Sequence, residues 1–291
     1  MAAVDSFQLL YREISRSCSF YFETLALVGA LYTASRAVIL LRDCCTLVRV
    51  HFLPRMIPSK RLSQRFGDWA VIYGGSDPVA RAYAEELARH GISIIFVTQD
   101  HTSVRDTAAS LSQSYGVETV VVLADFSLDQ AASKPIKEAM RGKDIGFLVN
   151  CVDESGVSPR SLIEIPEQAL LDSVNKNVAV ATVMARLVLP GMVERCRGAV
   201  VNISSGACCR PLPGRVTLTA STIASSGRQP FSSRPSWFAP KPEVYARHAI
   251  STLGVSNRTT GYWPHTLQYG LMRCIPEWIW VLGARVLVSS S

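Results

Sequence analysis

Few side chains in this 291-residue sequence are spaced to do chemistry, and the best placed of them cluster in one turn. Gly74, Gly75, Ser76, Asp77 and Pro78 stand between the apolar run Trp69–Tyr73 and a helical pattern over Val79–His90. Backbone N–H groups at the start of a helix attract an anion, and glycines ahead of it let a phosphate approach the chain. The spacing therefore suits the pyrophosphate of a dinucleotide. Two substitutions weaken it. Pro78 supplies no N–H, although its fixed φ suits a first helical turn. Ala80 adds a methyl where a glycine would let helix and strand pack closely.

Other polar residues fall at the ends of apolar runs. Asp125 follows Val117–Leu123, Asn150 ends Ile145–Val149, Asn177 lies in the next helical stretch, and Ser204 and Ser205 follow Ala199–Ile203. The eight cysteines include no C-x-x-C pair, and the adjacent pairs 44/45 and 208/209 are poorly spaced for zinc. They read as reduced thiols in an intracellular compartment.

These positions require a scaffold of alternating strands and helices. Short apolar runs at Trp69–Tyr73, Ile92–Val97, Val117–Leu123, Ile145–Val149 and Ala199–Ile203 predict strands. Helices are expected at Val79–His90, His101–Tyr115, Gln130–Arg141 and Glu167–Arg195, the last interrupted near Pro190. Continuous β-branched runs between helices imply a parallel sheet covered on both faces, an α/β, Rossmann-type doubly wound architecture. The pattern fails over 206–243, which is rich in Pro, Ser and Gly, so the sheet is expected to be incomplete in its C-terminal half. A helix over Glu243–Leu253 follows, and the aromatic-rich Cys274–Val288 suits a membrane interface or a core helix.

Residues 1–65 form a separate segment ahead of a domain over 66–291. They hold nine Lys/Arg against four Asp/Glu, most of the chain's net charge of +7. No basic stripe marks the domain, which excludes the usual nucleic-acid binders. Phe20–Leu41 is apolar apart from Glu23 and Arg36, near the length of a membrane span. A helix lying on the membrane, or packed on a partner, is the alternative. His51–Lys60, with two prolines, reads as a linker. The Arg-bearing apolar character predicts mitochondrial targeting, with the endoplasmic reticulum membrane as the rival destination.

In order, the motifs resemble the short-chain dehydrogenase/reductase family, in its 17β-hydroxysteroid dehydrogenase branch. That family carries T-G-x-x-x-G-x-G, then D-[VF], N-N-x-G, a helical Asn and S-S. Here stand Tyr73-Gly74-Gly75-Ser76-Asp77-Pro78-Val79-Ala80, Asp125-Phe126, Asn150-Cys151-Val152-Asp153, Asn177 and Ser204-Ser205. The resemblance implies NADP(H) held by Gly74, Gly75, Ser76, Asp77, Asp125 and Asn150. It implies Ser205 to orient a substrate carbonyl and Asn177 to hold a proton-relay water.

The same resemblance exposes a gap. Active members have a Tyr about 13 residues after the second Ser, and a Lys four residues beyond it that lowers the Tyr pKa. Leu218 and Thr222 stand there, and none of the nine tyrosines has a Lys four residues later. Set against the family, some 35–40 residues are missing after Pro213. Cys151 and Asp153 replace an Asn and a Gly beside the nicotinamide, and Gln99 stands where NADP-preferring relatives carry an Arg. The expectation is a catalytically inactive homologue with vestigial Ser205 and Asn177, NADP(H) binding weak or lost, peripheral membrane contact and self-association. A weak NADP-dependent hydroxysteroid or ketone oxidoreductase is the alternative. A product of altered splicing that does not fold is the third reading.

Overall fold

The computed structural model describes residues 2–56, 61–99, 102–124, 133–151, 166–203, 240–256 and 259–274. The chain divides into two compact units, Met1–Phe52 and Leu53–Ser291.

The first unit is dominated by one helix, α1 (Ala2–Leu47), which continues into a π-helical turn over Val48–Phe52. Leu25, Leu27, Val28, Leu40 and Leu41 are all exposed. At about 100° per residue these five point to all sides of the helix, so its apolar surface is not a stripe. Its hydroxyls turn inward: Thr24 Oγ1 donates to the Tyr21 carbonyl at 3.0 Å, Thr33 to Gly29 at 2.9 Å and Ser35 to Tyr32 at 2.7 Å. These three hydroxyls are thus satisfied within the helix.

The second unit opens with the short helices α2 (Leu53–Met56) and α3 (Leu62–Phe66). The first of these corrects the linker reading of His51–Lys60 over its described part. Pro54 is the second residue of α2, directly after the π-helical turn. An alternating series follows: β1 (Trp69–Tyr73), α4 (Pro78–Arg89), β2 (Ser93–Thr98), α5 (Thr102–Tyr115), β3 (Thr119–Leu123), α6 (Ser133–Met140) and β4 (Ile145–Cys151). Next come α7 (Glu167–Val174), a π-helical turn over Asn175–Ala179, α8 (Val180–Glu194) and β5 (Ala199–Ile203). The described part ends with α9 (Pro242–Ser251) and α10 (Trp263–Cys274).

The five strands form one parallel sheet in the order β3-β2-β1-β4-β5. Strand side chains alternate between faces, and here both faces are covered. Ala70, Ile72, Ile94, Phe96, Phe147 and Val149 pack under α4, α5 and α9. Val71, Tyr73, Ile95, Val97 and Leu148 pack under α6 and α8 through Ile136, Met184 and Val188. This is why the inner strands read as unbroken apolar runs. Among the described residues β5 is an edge strand, and Ala199, Val200 and Val201 are only partly buried. The end of α8 is tied to the start of β4, where Arg195 Nε lies 2.6 Å from Asp144 Oδ1 and Arg195 also donates to the Ile145 carbonyl at 3.1 Å.

The break in the Glu167–Arg195 helical region is not where Pro190 suggested. Pro190 lies inside α8, and the irregular turn is Asn175–Ala179. Proline interrupts a helix by removing one N–H and crowding the preceding turn. Here Arg186 and Pro190 are on the exposed face, where water can reach the released carbonyl.

Candidate functional site

Strand order reverses beside β1: β2 and β3 lie to one side, β4 and β5 to the other. In open α/β sheets the crevice outside the carboxyl ends of the strands at this point is where ligands bind. The fold brings Tyr73, Gly74 and Cys151 together there. Gly74 has φ +83°, a conformation disfavoured for residues with a Cβ. A Cβ on it would sit 3.1 Å from the Cys151 carbonyl oxygen and 3.2 Å from Cys151 Cβ. A Cβ on Gly75 would meet Phe96 at 3.0 Å and Val104 at 3.2 Å. A side chain at Gly75 would press on Phe96 and Val104, and one at Gly74 would press on the β4 backbone in a conformation that disfavours a Cβ, so the chain runs bare past the crevice.

Beyond the turn, Asp77 caps α4. Its Oδ1 accepts from Val79 N–H at 2.7 Å and from Ala80 N–H at 3.4 Å. Arg81 N–H goes to the Asp77 carbonyl at 3.0 Å, and Pro78 has no N–H. All the backbone donors of this first turn are thus engaged or absent, and the capping group is an anion. Arg81 Nε reaches back to the Gly75 carbonyl at 3.3 Å and bridges the turn. The turn is thus bare of side chains at Gly74 and Gly75, while the donors at the start of α4 are taken up by Asp77 or missing at Pro78.

Asn150 is buried near the end of β4, and its Nδ2 donates to Asn202 Oδ1 on β5 at 2.9 Å. Asn150 Oδ1 is buried with no hydrogen-bond partner among the described residues. Asn202 was not singled out by the sequence. Its signal, one polar residue within an apolar strand, gains meaning only from the register that sets it opposite Asn150. Asn177 is buried in the π-helical turn between α7 and α8. Asp125, Ser204 and Ser205 lie outside the described residues, as do Leu218 and Thr222.

Among the described residues the acid–base chemistry available is poor. Tyr83 on α4 interacts with both Cys151 and Tyr245, and burial pushes its hydroxyl pKa well above the ordinary value of 10.0, with Tyr245 and Cys151 adding to the shift. A tyrosine that passes a proton near neutrality needs the opposite shift. The ring packs against Tyr245 of α9, with centroids 6.4 Å apart, as part of the core. Lys143 is occupied elsewhere, at 3.3 Å from Glu118 Oε1 and over the Trp69 ring, at the amino end of β1. Among the described residues no group of three His, Cys, Asp or Glu could hold a metal.

Comparison with known proteins agrees with this geometry. Residues 68–227 match the short chain dehydrogenase family profile. The chain is 49% identical to inactive hydroxysteroid dehydrogenase-like protein 1 of Danio rerio, with 100% of both chains covered. That alignment runs over 319 positions for the 291 residues present, so at least 28 of its positions have no residue in this chain. Identity to the very-long-chain 3-oxoacyl-CoA reductase of Mus musculus is 34%, over 74% of this chain and 78% of that one. A solved 7β-hydroxysteroid dehydrogenase superposes with a TM-score of 0.51 at 26% identity, covering 56% of this chain and 62% of that enzyme.

Proposed function

The chain belongs to the short-chain dehydrogenase/reductase family, and from that premise we propose that it is a catalytically inactive member with weakened nucleotide binding. The observation that carries the reading is the absence of any Tyr with a Lys four residues later. Without a tyrosine whose pKa is lowered by a close cation, nothing supplies the proton to a ketone. Loss of a general acid alone slows such a step on the order of 10²–10⁴-fold. The buried hydroxyl of Tyr83, shifted the wrong way, does not replace it.

A nicotinamide nucleotide supplies a hydride in this family when bound. Gly74, Gly75 and Ser76 would border its pyrophosphate, with Asp125 toward the adenine. The Asp77 cap and Pro78 leave few open donors there, which supports weak binding of NADP(H). Asn150, tied to Asn202, holds the β4 end in place beside the crevice.

Helix α1 is read as the anchor. Within Leu9–Met56 an 18-residue window has a mean hydropathy of 1.7 and no part of it is buried. An apolar surface on all sides suits a spanning helix better than one lying in the interface. The basic excess of residues 1–65 supports a mitochondrial membrane as its destination. A fluorescent reporter fused to that segment tests this, and a reticular or diffuse pattern would refute it.

The function is tested with purified full-length protein in detergent, NADPH or NADP⁺, and 17-keto or 17-hydroxy steroids. The expected outcome is no turnover above background and only weak quenching of NADPH fluorescence at micromolar protein. Reduction of a ketone above background establishes instead the weak oxidoreductase.

A further inference from the structure

We propose that Cys44 and Cys45 are S-acylated by long-chain fatty acyl groups, on the cytoplasmic side of the membrane that α1 crosses. The inference rests on the reading of α1 as a spanning helix.

Within α1, Phe20–Leu41 rises about 33 Å, against a hydrocarbon thickness of about 30 Å. Its two charges sit near its ends. Arg36 lies five residues from Leu41 and its Nε bonds the Tyr32 hydroxyl at 3.1 Å, with the guanidinium also over the Tyr32 ring. The guanidinium is held there against Tyr32, one turn toward the helix N-terminus, where the phenol oxygen and the ring face partly offset its charge.

Three thiols bracket this run. Cys18 lies two residues before Phe20, while Cys44 and Cys45 lie three and four residues after Leu41. All three are free and exposed. Cys18 and Cys44 are separated by a rise of about 39 Å, close to the roughly 40–45 Å of a bilayer with its headgroups. The helix therefore sets Cys18 in one headgroup layer and the adjacent pair in the other.

Charge decides which side is which. Arg12 and Arg16 precede the run, whereas Arg42, Arg49, Arg55, Lys60 and Arg61 follow it within about 20 residues, the range over which basic flanks are retained on the cytoplasmic side. Cys44 and Cys45 then face the compartment that holds acyl-coenzyme A. Arg42 and Arg49 border them and attract anionic headgroups. The cysteine Sγ, as thiolate, attacks the carbonyl carbon of a long-chain acyl-coenzyme A. A new C–S bond forms, the bond to coenzyme A breaks, and coenzyme A leaves as a thiol carrying the proton the cysteine gave up. No oxidant or reductant is needed. The acyl chain enters the leaflet alongside Val38–Leu41, and juxtamembrane cysteines are the positions where such chains add a second hold. Cys18 faces away from the donor, and Cys151 is buried in the crevice.

The test expresses the tagged full-length chain in cultured animal cells fed an alkyne analogue of palmitate. Labelling is read with and without hydroxylamine, which cleaves thioesters, and membrane fractions are extracted with alkaline carbonate. We expect carbonate-resistant protein whose label is lost to hydroxylamine. Cys44→Ser with Cys45→Ser should bring labelling to background, while Cys18→Ser should leave it unchanged. Carbonate-resistant protein without label overturns the acylation and leaves the spanning helix standing. Protein that carbonate extracts and that carries no label overturns both. Label that persists in the double variant, or that disappears with Cys18→Ser, overturns the assignment to this pair.

Discussion

Asn150 and Asn202 face each other across β4 and β5, joined by a 2.9 Å hydrogen bond from Asn150 Nδ2 to Asn202 Oδ1. The pair lies one residue below Cys151, so it fixes the end of β4 against the outermost described strand. Asn150 is buried at 3% exposure, while Asn202 is exposed, so the pair links the interior of the sheet to its surface.

Removal of the acceptor should destabilise the fold modestly, since it breaks a side-chain bond to a buried amide. Asn202→Ala removes the acceptor of the Asn150 amide; because Asn202 is itself exposed, water can partly replace it, and the cost is about 1 kcal/mol. Asn202→Asp retains an acceptor and should lose less. Urea unfolding of both variants checks the ordering. Equal stability of Asn202→Ala and the parent chain would show that the pair does not hold the strands.

The turn after β1 offers a direct test of why nucleotide binding is weak. Pro78→Gly restores one N–H, and Ala80→Gly removes a methyl from a position with no exposed surface. A hydrogen bond to a charged group contributes about 1.5–3 kcal/mol, so NADPH should bind on the order of tenfold more tightly. Each glycine in a helix also loses about 1 kcal/mol of stability, and thermal melting should record that fall. Calorimetry that finds a folded variant with unchanged affinity would place the defect outside the turn.

What was legible in the sequence depended on how local its cause was. The bounds of β1 and β5 agree with the apolar runs, because Asp68 and Gly74 bracket one and Gly198 and Ser204 the other. The parallel doubly wound sheet and the Gly74 turn followed from the alternating pattern and the ordered motifs. Three features resisted. Helix α10 was not expected, since Trp263–Cys274 has no clear apolar period and its start is marked only by Pro264. The π-helical turn at Asn175–Ala179 has no breaker residue, whereas Pro190 looked like one. The role of Asp77 as the cap that occupies the Val79 and Ala80 donors, and the partnership of Asn150 with Asn202, need coordinates. They depend on where a side chain turns and on which residues a parallel register sets opposite each other.

The packing of α9 and α10 makes stability depend on pH through His248. Its pKa is lowered from 6.5 to about 4, first by burial and then by Arg55 and Arg247. The ring lies edge-on to Tyr262, with centroids 5.0 Å apart, and its Nδ1 is buried without a hydrogen-bond partner among the described residues. The folded protein therefore favours the neutral ring. Between about pH 6.5 and pH 4 the unfolded chain binds a proton at His248 that the folded chain does not. Stability from this group is complete above the unfolded value, falls as the pH drops through that window and levels off below the folded value. Discounted for solvent screening at a partly exposed ring, the change is about 1 kcal/mol. Urea unfolding between pH 4 and pH 8 should show His248→Gln losing less stability on acidification than the parent chain. Parallel profiles for the two proteins would mean that His248 titrates alike in the folded and unfolded states, and that α9 does not bury it.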